Sequence, residues 1–238
     1  MRHGTQTARK RVDLALEALD IHPDCVDAYL ILAGEETFPL VALEMYREAV
    51  EAGERTLGAE RFEEDAGHFW GLTKTRPYMR ARLDLAMTLW DLGKQVEAVE
   101  HAKELLRLNP NDNQGIRYIL ASWLVMMDRD EELVELLDSF EDEPTACWAY
   151  AKALVAFRHE GDSKTSRGLL EAAIKCNTHV PEYLLGEKEI PDEPPDTVGF
   201  GDETEAVDFF FQFAIPWCLT RGATGWLHDV ACGGEGAI

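Results

Sequence analysis

Apolar residues recur along the chain at helical spacing, and the pattern itself repeats every 34 residues. Within a segment they fall at i, i+3, i+4 and i+7, as at Leu85 and Leu89. Between segments, equivalent apolar positions lie 34 residues apart, as at Leu106, Phe140 and Ile174. Such a period, with two amphipathic helices in each unit, predicts a helical repeat protein.

The clearest unit shows where its helices start and stop. The spacing predicts a first helix over 78–92, a tight turn at Gly93, and a second helix over 95–108. Pro110 ends the unit, because proline cannot continue a helix and disfavours helical geometry in the residue before it. Three such units are predicted over 78–180.

Small and turn-forming residues at fixed offsets resemble the tetratricopeptide repeat; they are Ala86, Gly93, Ala98 and Pro110. The resemblance implies an all-α, right-handed helical solenoid of the tetratricopeptide type, with a C-terminal helical cap. In the unit at 113–146, Met127 stands where glycine is usual, so we expect its turn to be shifted by one residue.

We predict that residues 1–238 form a single helical-repeat domain. Its expected parts are degenerate N-terminal helical hairpins at 1–55, a connection at 56–77, three units at 78–180, a loop and capping helices at 181–232, and a flexible tail at 233–238.

The C-terminal part carries a second resemblance. Residues 177–186 read NTHVPEYLLG, residues 201–206 read GDETEA, and Trp226 follows. These features resemble the suppressor of tumorigenicity 7 family, over about 80–232 and most specifically over 177–227. The resemblance implies a helical-repeat interaction protein and supplies no catalytic residues. Its eukaryotic members are membrane-associated, but no spanning segment is found here, so that localisation is not expected.

A helix is predicted after Gly201. Asp202 is a candidate N-cap, and Glu205 stands at the capping-box position. We expect aromatic side chains of this helix to cover the open end of the solenoid, since a terminal repeat otherwise exposes an apolar face; they are Phe209, Phe210, Phe213 and Trp217.

The charge of the chain is strongly negative. Forty-five acids against 23 bases give a net charge of −22, and the stretches 128–143 and 182–205 each contribute −8. A chain this acidic is repelled by phosphate backbones and anionic lipids, so neither nucleic acid nor a membrane is an expected partner. The two acidic stretches are interpreted as solvated surfaces.

The sequence lacks the signatures of a membrane span, a disulfide framework, an enzyme or a metal site. No run of apolar residues approaches the roughly 18 needed to span a bilayer. The five cysteines form no CxxC pair, which fits reduced thiols in a cytoplasmic protein. Nucleotide, nucleophile-elbow and zinc-protease motifs do not occur, so we predict no catalytic residue, no metal and no cofactor.

The tetratricopeptide resemblance implies a concave groove lined by the first helix of each unit. Projected on this sequence, the partner-binding residues are Arg80, Met87, Trp90, Asn113, Gln114, Arg117, Trp148, Arg158 and His159. Arginine offers a planar fork for carboxylates, and tryptophan offers an anchoring surface. The alternative interpretation is that the arginines pair internally, as Arg80 could with Asp84, and that the tryptophans pack in the core.

The leading hypothesis is therefore a non-enzymatic scaffold that binds a protein or peptide in its groove, with Arg recognising an acidic or carboxylate group. One alternative is an acidic regulatory protein that binds a basic partner or mimics nucleic acid. Another is an enzyme with a pocket between solenoid and cap, using His179 or His228.

Overall fold

The computed structural model of the protein describes the backbone of residues 2–233 and the side chains of residues 7–233. Most of the predicted tail at 233–238 therefore lies outside the described residues. Within them the secondary structure is entirely helical, which confirms the helical-repeat class; the handedness of the solenoid stays a prediction. No described helix is both long enough and apolar enough to cross a membrane.

The chain divides into two compact units, Met1–Leu120 and Ala121–Ile238. Among the described residues, unit 1 contains six helices, a 3₁₀ turn at Phe69–Gly71, and the start of a seventh helix. The helices are α1 (Arg2–Ile21), α2 (Val26–Glu35), α3 (Pro39–Leu57), α4 (Ala59–Glu64), α5 (Arg76–Asp91) and α6 (Gln95–Leu108), followed by α7 (Ile116–Met126), which continues into unit 2.

The α5–α6 pair agrees with the predicted helix–turn–helix. Gly93 has φ +75°, a left-handed conformation that glycine adopts without a steric penalty. The chain turns there, and the amide of Lys94 donates to the carbonyl of Leu89 at 2.8 Å. Ala86 and Ala98 are fully buried, so the two helices of the pair approach closely.

The connection at 56–77 is folded. It contains α4 and the 3₁₀ turn, and Phe69 is completely buried. The amide of Gly67 donates to the carbonyl of Leu108 at 3.1 Å, and the Thr75 hydroxyl donates to the carbonyl of Leu72 at 2.7 Å. These bonds hold the connection to the end of α6 and to the start of α5.

Unit 2 holds the other helices of the described part of the chain. They are the end of α7, α8 (Asp130–Ser139), α9 (Ala146–Glu160), α10 (Lys164–Cys176), α11 (Val180–Leu184), α12 (Glu203–Leu219) and α13 (Ala223–Gly233). The expected one-residue shift of the α7–α8 turn is confirmed, because Asp128, one residue after Met127, takes the left-handed conformation with φ +54°.

Helices α12 and α13 pack against α9, α10 and α11. Asp202 caps α12 as predicted, accepting from the amides of Thr204 and Glu205 at 2.9 and 3.2 Å. The capping-box role expected of Glu205 is not seen. Its buried carboxylate instead accepts from the amides of Ala146 and Gly201 at 2.9 and 2.8 Å, which ties α12 to the start of α9.

Candidate functional site

The exposed part of the predicted groove in unit 1 is one face of α5. Arg80, Leu83, Met87 and Trp90 are spaced by three, four and three residues, so they share one side of the helix. Met87 is 38 % exposed, and Leu83 and Trp90 are half-buried. This face offers a partner an apolar strip with a cation at one end.

Arg80 is held by a carboxylate of a neighbouring helix. Its guanidinium donates to Asp27 of α2 at 2.9 Å, and both side chains are about half exposed. The internal pairing expected with Asp84 is replaced by this contact, although Arg80 also acts on Asp84 through space. Burial raises the pKa of Asp84, and the charge of Arg80 opposes that rise.

Three further predicted residues lie in the turn before α7 and in its first residues. Asn113 is exposed, and the side-chain amide of Gln114 donates to the carbonyl of Met79 at 3.4 Å. Arg117 pairs with the Asp112 carboxylate at 3.1 Å and stacks on the ring of Tyr118. Arg117 is therefore part of a turn structure as well as a candidate site residue.

Asp112 organises that turn. It has φ +47°, and its carboxylate accepts from the amides of Ile116 and Arg117 at 2.7 and 2.9 Å, which caps α7. Burial raises the pKa of Asp112, while these amides and the charge of Arg117 act in the opposite direction.

The predicted residues of unit 2 are mostly internal. Trp148 is 1 % exposed, and its indole donates to the carbonyl of Leu137 at 3.3 Å. In this structure it is a core residue with almost no surface for a partner. His159 is exposed, with its Nε2 3.7 Å from Asp130.

Arg158 joins three segments of unit 2. Its side chain is only 12 % exposed and lies 2.8 Å from Asp130 and 3.2 Å from Asp128. It also donates to the carbonyl of Val125 at 3.3 Å and to the Thr220 hydroxyl at 3.0 Å. The guanidinium thus connects the α7–α8 turn to the end of α12.

Helix α12 lies beside α7 and α9 in unit 2. The Ser122 hydroxyl of α7 donates to the carbonyl of Gln212 in α12 at 3.0 Å, and α12 also packs on α9. Several other residues of α7 and α9 in unit 2 are buried in its core: Ala121, Leu124, Val125, Ala151 and Val155.

An exposed aromatic residue that the repeat pattern does not predict lies in the loop before α12. Phe200 is 76 % exposed. Its neighbours are fixed, since the amide of Gly199 donates to the Thr204 hydroxyl at 2.9 Å and the amide of Gly201 donates to Glu205. A Cβ at Gly199 would lie too close to the Asp202 carboxylate, so a larger residue there would displace that cap. The Gly-Phe-Gly triplet was the available signal.

A cavity between the helical array of unit 2 and its cap bears on the enzyme alternative. It measures about 370 Å³ and lies between α10 and α13, with Arg167, Glu171 and Asp229 among its lining residues. Neither His179 nor His228 lines it. His179 lies 3.6 Å from Glu182, and His228 lies 3.5 Å from its neighbour Asp229.

The two units differ in charge. Residues 1–120 carry 15 bases and 21 acids, whereas residues 121–238 carry 8 bases and 24 acids. Unit 2 therefore supplies −16 of the net −22. The open α5 face belongs to the less acidic unit, and the exposed Phe200 belongs to the more acidic one.

A protein-family model described as ST7 protein matches residues 3–234. The Suppressor of tumorigenicity 7 protein-like of Bos taurus is 28 % identical over 253 residues, which cover 96 % of this chain and 44 % of the relative. The Protein ST7 homolog of Drosophila melanogaster is 28 % identical over 255 residues, which cover 96 % and 46 %. The chain spans less than half the length of these curated relatives.

Two solved structures are similar to this one. YrrB, described as a TPR protein with an unusual peptide-binding site, aligns with a TM-score of 0.46 and 15 % identity, over 73 % of this chain and 79 % of YrrB. BtubC from P. vanneervenii aligns with a TM-score of 0.46 and 16 % identity, over 98 % of this chain and 91 % of BtubC.

Proposed function

The chain belongs to the ST7 family, and we propose that it is a non-enzymatic scaffold that binds a protein or peptide segment on the face of α5 that carries Arg80, Met87 and Trp90. The exposure of that face carries the proposal. Met87 and Trp90 offer apolar surface on a regular helix whose equivalents in unit 2 are covered. Aromatic and Met side chains are enriched where proteins bind one another.

Arg80 gives this face a polar contact for the partner. Its pair with Asp27 is half exposed, and ion pairs of that kind contribute only about 0–1 kcal/mol. A carboxylate of the partner can therefore replace Asp27 on the guanidinium at little cost. The partner segment that fits best is apolar with an acidic side chain or a free C-terminus.

Selection of phage-displayed peptides on the protein tests this proposal. The enriched peptides are synthesised, and their dissociation constants are measured by fluorescence polarisation for the wild type, Met87→Glu and a control, Val96→Glu. Val96 is an exposed apolar residue of α6 outside the proposed face. We expect Met87→Glu to weaken binding by about tenfold or more, because it places a charge in an apolar contact.

Recognition of a partner's carboxylate by Arg80 is tested separately. Amidating the carboxylates of the peptides should weaken binding, and so should the variant Arg80→Ala. The two changes combined should weaken binding no more than either change alone, because they remove the same contact. Peptides that bind Met87→Glu as tightly as wild type would sink the α5 assignment. Equal binding of acid and amide forms would remove carboxylate recognition alone.

The exposed Phe200 favours a second candidate function, in which unit 2 binds a basic partner. The backbone on both sides of Phe200 is anchored, so a partner would have to order only the side chain of this residue. The surrounding unit has a net charge of −16. A partner with an apolar pocket and a basic rim would match both features.

A synthetic amphipathic peptide of Lys and Leu is the probe for this second function. Its affinity should fall steeply with salt and should drop by about fivefold or more in Phe200→Ala. Phe38→Ala is the matched control, because Phe38 is a similarly exposed phenylalanine in unit 1. The same loss in both variants would exclude Phe200 as an anchor.

A further inference from the structure

The connection that interrupts the repeat pattern builds one wall of a cavity in unit 1. The cavity measures about 610 Å³ and is open to solvent, with α4 on one side and parts of α3, α5 and α6 on the other. Phe62 of α4 lines it and packs on Phe69 and Tyr78, with ring centroids 5.2 and 5.0 Å apart. A cavity of this size accommodates a small ligand or one large side chain.

Two arginines line the cavity, and both are already engaged by carboxylates. Arg107 makes a two-pronged contact with Glu104 at 2.6 and 2.7 Å. Arg82 donates to the Tyr78 hydroxyl and lies 3.6 Å from Glu54. An anionic ligand would have to displace these carboxylates from the guanidiniums.

The third carboxylate of the lining is Glu63. It is exposed, and among the described residues it has no hydrogen bond or ion pair. Burial raises the pKa of Tyr78 to about 12, so its hydroxyl remains neutral and adds no charge. The lining therefore holds three carboxylates and two guanidiniums, a net charge of −1, with Glu63 still available.

We propose that this cavity binds an alkyl guanidinium or ammonium group, such as the side chain of arginine or lysine. The cation would pair with Glu63, and the ring of Phe62 provides an aromatic surface of the kind that attracts such groups. The proposal goes beyond the α5 face and is independent of it, because it uses neither Arg80 nor Met87.

Isothermal titration calorimetry with N-acetyl-arginine amide, which imitates an arginine side chain in a peptide, tests the proposal on the full chain. N-acetyl-citrulline amide is the neutral control of the same shape. We expect the citrulline compound to bind at least about tenfold more weakly, since it lacks the charge on which both contacts depend.

The variant Glu63→Gln should weaken binding of the arginine compound about fivefold, the upper end for an exposed charge pair. Glu64→Gln is the matched control, because Glu64 is the next exposed residue of α4 and does not line the cavity. Neither variant removes a buried side chain, so both should remain folded; circular dichroism checks this.

Free L-arginine distinguishes the two sources of the ligand. Tighter binding of free L-arginine than of the blocked form identifies a free amino acid, and equal or weaker binding identifies a peptide side chain. No detectable heat with either compound, equal binding of citrulline, or equal effects of the two glutamate variants would overturn the proposal. None of these outcomes depends on Met87 or Arg80.

Discussion

Equivalent positions of the repeat have opposite environments in the two units. Met87, Ala121 and Val155 are spaced by 34 residues. Met87, on α5, is 38 % exposed, whereas Ala121 and Val155, on α7 and α9, are 0 % and 3 % exposed. A position in the repeat therefore does not decide whether a side chain meets solvent.

The difference arises from what lies on the helix face. In unit 2, α12 packs on α9, and its backbone accepts a hydrogen bond from Ser122 of α7. The aromatic residues Phe209, Phe213 and Trp217 of α12 are buried. Helix α12 thus packs beside the two helices of unit 2 that carry the buried positions.

The largest effect on stability is expected when two tryptophans of the predicted groove are each replaced by alanine and compared. Trp148→Ala should lower the free energy of unfolding by about 3–5 kcal/mol, since it leaves a cavity in the core. Trp90→Ala should lower it by only about 1–2 kcal/mol, because Trp90 is half-buried. Urea denaturation followed by far-ultraviolet circular dichroism measures both. Equal losses would contradict the difference between the two faces.

The same contrast applies to two arginines. Arg158→Ala should destabilise the protein by about 3 kcal/mol, because it leaves Asp130, a largely buried carboxylate, without its cation. Arg80→Ala should lower stability by less than about 1 kcal/mol, since its pair with Asp27 is half exposed. Urea midpoints of the two variants against the wild type give the comparison. An Arg158→Ala variant as stable as the wild type would show that Asp130 does not depend on this cation.

A smaller effect is expected at the start of α12. Asp202→Ala removes the side chain that caps two amides, and losses of this kind are about 1 kcal/mol. Asp196→Ala, an exposed acid of the same loop, should leave stability unchanged within about 0.5 kcal/mol. Thermal unfolding of the three proteins distinguishes the cap from a general charge effect.

Local signals were enough to predict the helical pairs. Gly93 marks its turn because only a left-handed residue closes it, and Asp128 shows the same requirement one residue later in the next pair. These features depend on residues near in sequence, so periodicity and turn chemistry reveal them.

The exposure of the site depends on contacts between distant segments. The repeat pattern predicts a groove position for Arg158, but nothing near it in sequence reveals that the end of α12 lies alongside. Arg158 meets Thr220, 62 residues away. The other two residues proposed to bind a partner or ligand lie outside the repeat pattern. Phe200 is in the loop before α12, and Glu63 is in the folded connection.

The last prediction concerns His101, a half-buried titratable group of unit 1, and at neutral pH its effect is the smallest. Burial lowers the pKa of His101 to about 4; the positive charges of Arg82 and Arg47 act in the same direction, and Glu97 opposes them. An unfolded histidine titrates near about 6.5. Between these values the unfolded chain binds a proton that the folded chain does not, so stability should fall as the pH is lowered from about 6.5 to about 4.

His101→Gln should lose that part of the pH dependence, while His22→Gln, at an exposed position, should retain it. Urea midpoints at pH values of about 7, 5.5 and 4.5 measure the effect; equal pH dependence in wild type and His101→Gln would show that this histidine is protonated as readily in the folded protein as in the unfolded chain.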